Sequence, residues 1–263
     1  MLTTEKQLIC CKSIDRTTYM LYNYNMGSKI TIYHKRVLKI LANNVDSFYL
    51  AGGTALSNFY FQHRDSEDLD FFTGKFEKSE ITGIVEDLSK ELRRPVRLLK
   101  QQMKKNLVKM MVFSIEFTKK DKLKIDFVED YIKLIKPSRN INGVNVMSLE
   151  DIYLRKIYAV AGYWQREDKT GRKIGQGGRQ EAKDFCDLYY LSHTFMGLAD
   201  FAGKYCDDIV RENLIRWYRT YDRMDIKTGL QDLKLKKRVD YQDIERHFKK
   251  EVDKLLEEEV DFI

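Results

Sequence analysis

Two aspartates one residue apart, Asp68 and Asp70, follow a Gly52-Gly53-Thr54 turn within the stretch YLAGGTALSNFYFQHRDSEDLDFFT, Tyr49 to Thr73. The apolar residues around them make this a short strand, a glycine turn, an apolar helix and a second strand that carries the aspartates. Side chains alternate along a strand, which puts Asp68 and Asp70 on one face and Leu69 and Phe71 on the other. Two rises of about 3.3 Å separate their Cα atoms by ~6.5 Å, so both carboxylates can converge on one divalent ion. Magnesium takes hard oxygen ligands, usually one or two carboxylates together with substrate phosphates. A glycine turn, for its part, lets backbone N–H groups approach those phosphates. The layout suits a nucleotidyltransferase. Each half alone also has a plainer reading, because Asp-x-Asp can be a solvated strand end and Gly-Gly-Thr an ordinary turn.

A third carboxylate depends on strand order. After a helix expected over Glu77 to Arg93 and stopped by Pro95, three strands are expected in meander order at Val96 to Lys100, Val108 to Phe117 and Leu123 to Val128. In the last of these Leu123, Ile125 and Phe127 share one face, so Asp126 takes the other. If that strand lies beside the Asp68–Asp70 strand in register, Asp126 joins the metal set; otherwise it is a charge on an exposed strand face. Glu129 and Asp130, just beyond, read as solvated. Upstream, helical periodicity runs from Ile30 to Leu41 and Ser47 to Leu50 forms the first strand, with Ala55, Leu56, Phe59 and Tyr60 as the buried stripe of the helix after the turn. Tyr19, Tyr22 and Tyr24 are candidates to cover an edge of this part.

Beyond Pro137 the pattern changes. Ser148-Leu149-Glu150-Asp151 looks like a capping-box start, and helices are expected at 149–165, 179–193, 197–219 and 240–259, the last with Ile244, Phe248, Val252 and Leu255 on one face. The expected architecture is an α/β core with a mixed sheet, residues 1–147, followed by an all-α helical domain, residues 148–263, with the active site between them.

With 43% hydrophobic and 33% charged residues the chain is globular rather than disordered, and its formal charge of +7 is compatible with an RNA or DNA partner without requiring one. Cys10, Cys11, Cys186 and Cys206 show no zinc spacing, and no apolar leader or run of 18 apolar residues occurs. A reduced, cytoplasmic protein with no membrane partner is the expectation.

The run Ala51-Gly52-Gly53-Thr54-Ala55-Leu56, with His63-Arg64-Asp65-Ser66 and Asp68-Leu69-Asp70-Phe71-Phe72 following in order, resembles the AbiEii/AbiGii toxin family of nucleotidyltransferase-like proteins. A second block, LEDIYLRKIYA from Leu149 and EAKDFCDLYYL from Glu181, looks like the family's helix pair that supplies a lysine and an aspartate to the active site. The likeness covers roughly Phe48 to Leu191. It implies that Asp68 and Asp70 hold Mg2+ or Mn2+, with Asp126 completing the set, and that Gly52, Gly53, Thr54, Arg64 and Ser66 cradle the phosphates of an NTP. By the same match Lys156 contacts the triphosphate or the transition-state charge, and Asp184 acts on the acceptor or orients the lysine. Asp187, on the same helix face, would support either role. Function, so implied, is nucleotide transfer to an acceptor such as the 3′ end of a tRNA, in a toxin or phage-defence setting with a separately encoded antitoxin. The same residues could also serve a protein-AMPylating enzyme or a non-catalytic nucleotide or nucleic-acid binding module.

One departure stands out. Lys156 and Asp184 are separated by more residues than is usual in the family, and the insert REDKTGRKIGQGGRQ, Arg166 to Gln180, reads either as a flexible cationic loop along a nucleic-acid backbone or as a disordered surface loop.

Overall fold

The computed structural model describes residues 29–42, 47–162, 164–167, 173–176, 178–237 and 239–260; Cys10, Cys11, Tyr19, Tyr22 and Tyr24 lie outside them. After helix α1 (Lys29–Leu41), strand β1 (Tyr49–Ala51) ends directly in a short helical turn, α2 (Gly52–Ala55), which widens into a π-helical turn at Leu56–Tyr60. Ala55 and Leu56 are buried there as expected, whereas Phe59 and Tyr60 are only half-buried. Strand β2 (Asp68–Thr73) buries Leu69, Phe71 and Thr73 and leaves Asp68, Asp70 and Phe72 half-buried, the alternation that a one-sided sheet face imposes.

Helix α3 (Lys78–Leu92) ends on Arg93 in the left-handed conformation (φ 51°), just ahead of Pro95. Strands β3 (Val96–Gln102), β4 (Met110–Glu116) and β5 (Lys122–Glu129) then form the expected antiparallel meander. Strand β5 lies parallel to β2, with Asp126 opposite Asp70 and Lys124 opposite Asp68. A hairpin of β6 (Arg139–Ile141) and β7 (Val144–Val146) extends the sheet past β1, giving seven strands in the order β3-β4-β5-β2-β1-β7-β6. Its turn is Asn142-Gly143, both with positive φ (53° and 82°), the conformation that favours this pair in two-residue hairpins. Helix α1 packs on β5 and on α3. Around the buried Phe127 ring stand Phe48, Phe71 and Phe113, at centroid distances of 5.2, 5.6 and 6.0 Å.

Asp130 is not solvated, contrary to the sequence reading. It is 8% exposed, accepts a 2.5 Å hydrogen bond from the Tyr49 hydroxyl, and pairs with Arg155. The carboxylate tolerates burial because a guanidinium and a phenol meet it there. Glu129 remains partly exposed and pairs with Lys109 at 2.8 Å.

Helix α4 (Leu149–Ala161) starts where the capping signal stands: Ser148 Oγ accepts from the Asp151 N–H at 3.1 Å, and its hydroxyl donates to the Asp151 carboxylate at 2.6 Å. Among the described residues, an antiparallel pair enters the insert: β8 (Trp164–Glu167), which begins just before it, and β9 (Lys173–Gln176), with strand-favouring Trp164 and Ile174 in their runs. Helices α5 (Ala182–Thr194), α6 (Leu198–Tyr205), α7 (Asp208–Thr220), α8 (Arg223–Asp232) and α9 (Tyr241–Val260) complete the chain. A single helix over 197–219 is not formed. The backbone is extended at Cys206, and the Asp207 side chain caps a new helix by accepting from Val210 N–H at 2.9 Å. Phe185 of α5 centres this half, with Tyr221, Trp217 and Phe248 rings 4.5, 4.7 and 5.1 Å away. Ile244, Phe248, Val252 and Leu255 of α9 are buried as their spacing requires. Among the described residues no helix is long and apolar enough to cross a membrane.

Candidate active site

The half-buried face of the sheet gathers like charges. Asp68 and Asp70 on β2 meet Asp126 on β5 through the parallel register, and a lysine of β5 bonds to two of them: Lys124 Nζ lies 2.8 Å from Asp126 Oδ2 and 3.5 Å from Asp68 Oδ2. Asp126 Oδ1 is buried with no hydrogen-bond partner. Burial first, and then the Asp126 and Asp68 charges, push Asp70 up to about 6 from its ordinary 3.8, and burial also raises Asp126. Oxygen donors in register, one of them orphaned, fit a hard divalent cation. As the side chains stand, Lys124 draws Asp68 and Asp126 to itself, and no three-ligand metal group is formed among the described residues.

The turn is built against these carboxylates. Gly52 has φ +66°, and a Cβ placed on it would lie 2.6 Å from Asp70 Oδ2, so both the backbone and the neighbouring side chain require glycine. A Cβ on Gly53 would lie 2.3 Å from Arg64 Nη2 and 3.3 Å from Ser66 Oγ. Thr54 is fully buried and its hydroxyl donates to the Asp68 carbonyl, while Ser57 Oγ donates to Gly53 O at 2.8 Å. These bonds tie the turn to the strand that carries the aspartates.

A second set of charges sits on the helices. Asp187 of α5 is completely buried and accepts from Arg64 through both oxygens, Nε and Nη2 each at 2.7 Å. It also meets Lys156 Nζ at 2.6 Å and His63 Nε2 at 2.7 Å. Asp184, equally buried, takes Lys156 Nζ at 2.6 Å and Arg179 Nε at 3.2 Å. Although burial opposes it, the Lys156 and Arg64 charges hold the Asp187 carboxyl well below the usual range. Lys156 belongs to both sets, since its charge pulls Asp70 down against the dominant upward shift.

The candidate residues from the sequence are therefore brought together in two linked groups. Lys156 and Asp184 meet despite the intervening insert, and Lys183 pairs with Glu181 at 2.8 Å instead of with Asp184. Arg64 lies under the turn with its guanidinium committed to Asp187 and, through Nη1 at 2.9 Å, to the Asp65 carbonyl. Lys124 and His63 were missed. For Lys124 a signal existed: it stands two residues from Asp126 on a strand and must share its face.

A sequence-family model described as nucleotidyl transferase AbiEii toxin, type IV TA system, matches residues 36–262. The chain belongs to the AbiEii family. It is a nucleotidyltransferase of the toxin–antitoxin kind. No curated protein matches the chain in sequence. Among solved structures, JHP933 from Helicobacter pylori superposes with a TM-score of 0.55 at 17% identity, over 90% of this chain and 98% of that one. MenT4, the nucleotidyltransferase toxin Rv2826c from Mycobacterium tuberculosis H37Rv, superposes with a TM-score of 0.51 at 13% identity, over 86% of this chain and 82% of that one. At these identities the two neighbours establish the shared fold.

Proposed function

We propose that this AbiEii-family enzyme transfers a nucleotide from an NTP to an RNA acceptor, with a tRNA 3′ end as the first acceptor to test. In this reading Asp68, Asp70 and Asp126 would hold Mg2+ or Mn2+. The observation that carries the reading is the contact between turn and carboxylate: Gly52 has φ +66°, and Asp70 Oδ2 stands 2.6 Å from where a Cβ would be. A phosphate approaching the turn's backbone would thereby come beside the Asp68, Asp70 and Asp126 group, in which Asp126 Oδ1 has no hydrogen-bond partner. When bound, the metal supplies charge stabilisation for the entering and leaving oxygens.

The chain's own residues do the rest. Backbone N–H groups of Gly53 and Thr54, with the Ser66 hydroxyl, donate to the triphosphate. Asp184, fully buried, orients Lys156, whose charge reaches Asp70 at the edge of the site. The acceptor hydroxyl then loses its proton to solvent as its oxygen bonds to the α-phosphorus, the bond to the bridging oxygen breaks and pyrophosphate leaves. A formal charge of +7 and the partly exposed Arg179 beside Asp184 support a polyanionic acceptor. The family's type IV description implies a separately encoded antitoxin.

Purified protein incubated with total tRNA, each α-labelled NTP in turn and magnesium provides the test, beside the Asp68→Ala, Asp70→Ala double variant. Label on tRNA with the intact protein alone supports the reading and identifies the base. Label on a lysate protein and none on RNA would make the acceptor a protein hydroxyl, and no label on either would overturn the acceptor assignment.

A further inference from the structure

Lys124 has no part in the chemistry above, yet it occupies its centre. It lies opposite Asp68 across the β2–β5 pair and two residues before Asp126 on the same strand, so both carboxylates are its neighbours by register alone. Its ammonium makes the contacts of a small cation, 2.8 Å to Asp126 and 3.5 Å to Asp68. Asp70 takes the charge of Lys124 together with that of Lys156, and Asp126 Oδ1 stays unpartnered beside Lys124.

We infer that Lys124 is the internal counter-ion of the carboxylate set, seated between Asp68 and Asp126 and displaced when a divalent metal enters. The inference rests on the metal reading given above. An ammonium and a metal ion repel, and both draw on the Asp68 and Asp126 carboxylates, so the two compete for the site. Lysine suits this role because its charge is compact and rides on a flexible four-carbon stem. Its side chain is 41% exposed, which leaves room for it to swing out.

Two consequences follow for the enzyme. In the absence of nucleotide Lys124 lowers the affinity for free divalent ions while relieving repulsion within the carboxylate set. A metal arriving on an NTP brings the triphosphate as a new anionic neighbour for the displaced ammonium, so metal and nucleotide are favoured together over metal alone.

The test is Mn2+ binding to the nucleotide-free protein, with unbound Mn2+ measured by electron paramagnetic resonance. Wild type is compared with Lys124→Met, Lys124→Gln, Lys124→Arg and Asp70→Asn, and with the Lys124→Met, Asp70→Asn pair, each confirmed folded by its melting curve. Removing a charged hydrogen-bond competitor should tighten Mn2+ binding about tenfold in the Met and Gln variants. The Arg variant, which keeps the competing charge, should stay close to wild type. Equal or weaker binding in the neutral variants overturns the role of Lys124. The metal reading fails separately if Asp70→Asn leaves Mn2+ binding of Lys124→Met unchanged; loss of binding there with no tightening in Lys124→Met alone would defeat only the counter-ion inference.

Discussion

Asp68 and Asp126 on the sheet are bridged by the Lys124 ammonium, whereas Asp184 and Asp187 on helix α5 are met by Lys156, Arg64, Arg179 and His63. The two groups share the influence of Lys156, and their electrostatics run in opposite directions. Asp70 is pushed up to about 6 by burial and its acidic neighbours, while Asp187 is held far down by its cations. Burying an ion costs several kcal/mol, on the order of the whole stability of a domain, unless partners offset it. The helix group offsets that cost internally and so joins the α5 helix to the segment beneath the glycine turn, a bond between residues 123 positions apart. The sheet group leaves it partly unmet. Its residual charge is the property expected of a site completed from outside the chain.

The contrast is sharpened most by breaking the closed group. Asp187→Ala leaves Arg64 and Lys156 buried against each other without their shared carboxylate, and should destabilise the protein by ~3–5 kcal/mol in urea unfolding. A loss near zero would mean that the helix group does not join the two halves. Next comes Gly52→Ala at the rim of the open group. The positive φ and the Asp70 contact together should cost ~1–3 kcal/mol, and the misplaced turn should slow nucleotide transfer on the order of a hundredfold. Unchanged transfer in steady-state assays would remove the turn from the site. The smallest effect belongs to Arg179→Ala. Its side chain is 49% exposed in its pair with Asp184, so stability should change by less than ~1 kcal/mol, while acceptor KM rises if it faces the polyanion.

How much of this could be read beforehand differs between the same two groups. The sheet group was accessible because a period of two fixes which side chains share a face, and the meander made β5 available to pair with β2. Lys124 obeyed the same rule, yet a lysine in a strand reads as solvent-facing until its neighbours are known. The helix group was not accessible from spacing. Lys156 and Asp184 entered through family likeness, and the Arg64–Asp187 pair joins segments whose approach depends on packing of α4, α5 and the chain around Leu235, which bridges to Arg64. Local chemistry explains the smaller misses. Asn142-Gly143 is a strong hairpin signal, and Asp207 is an N-cap that divides α6 from α7.

The central claim is that the open group trades stability for chemistry, and Asp70→Asn tests it in one sample through thermal unfolding and nucleotide transfer. A pKa raised from 3.8 to about 6 in the folded state means that ionised Asp70 opposes folding above that pH, the penalty disappearing below about pH 4. At pH 8 the variant should therefore be more stable than wild type by about 3 kcal/mol, with the gap closing as the pH falls, and its transfer rate should drop on the order of a hundredfold or more. A variant that is less stable at pH 8, or one that transfers nucleotide at the wild-type rate, would contradict the account.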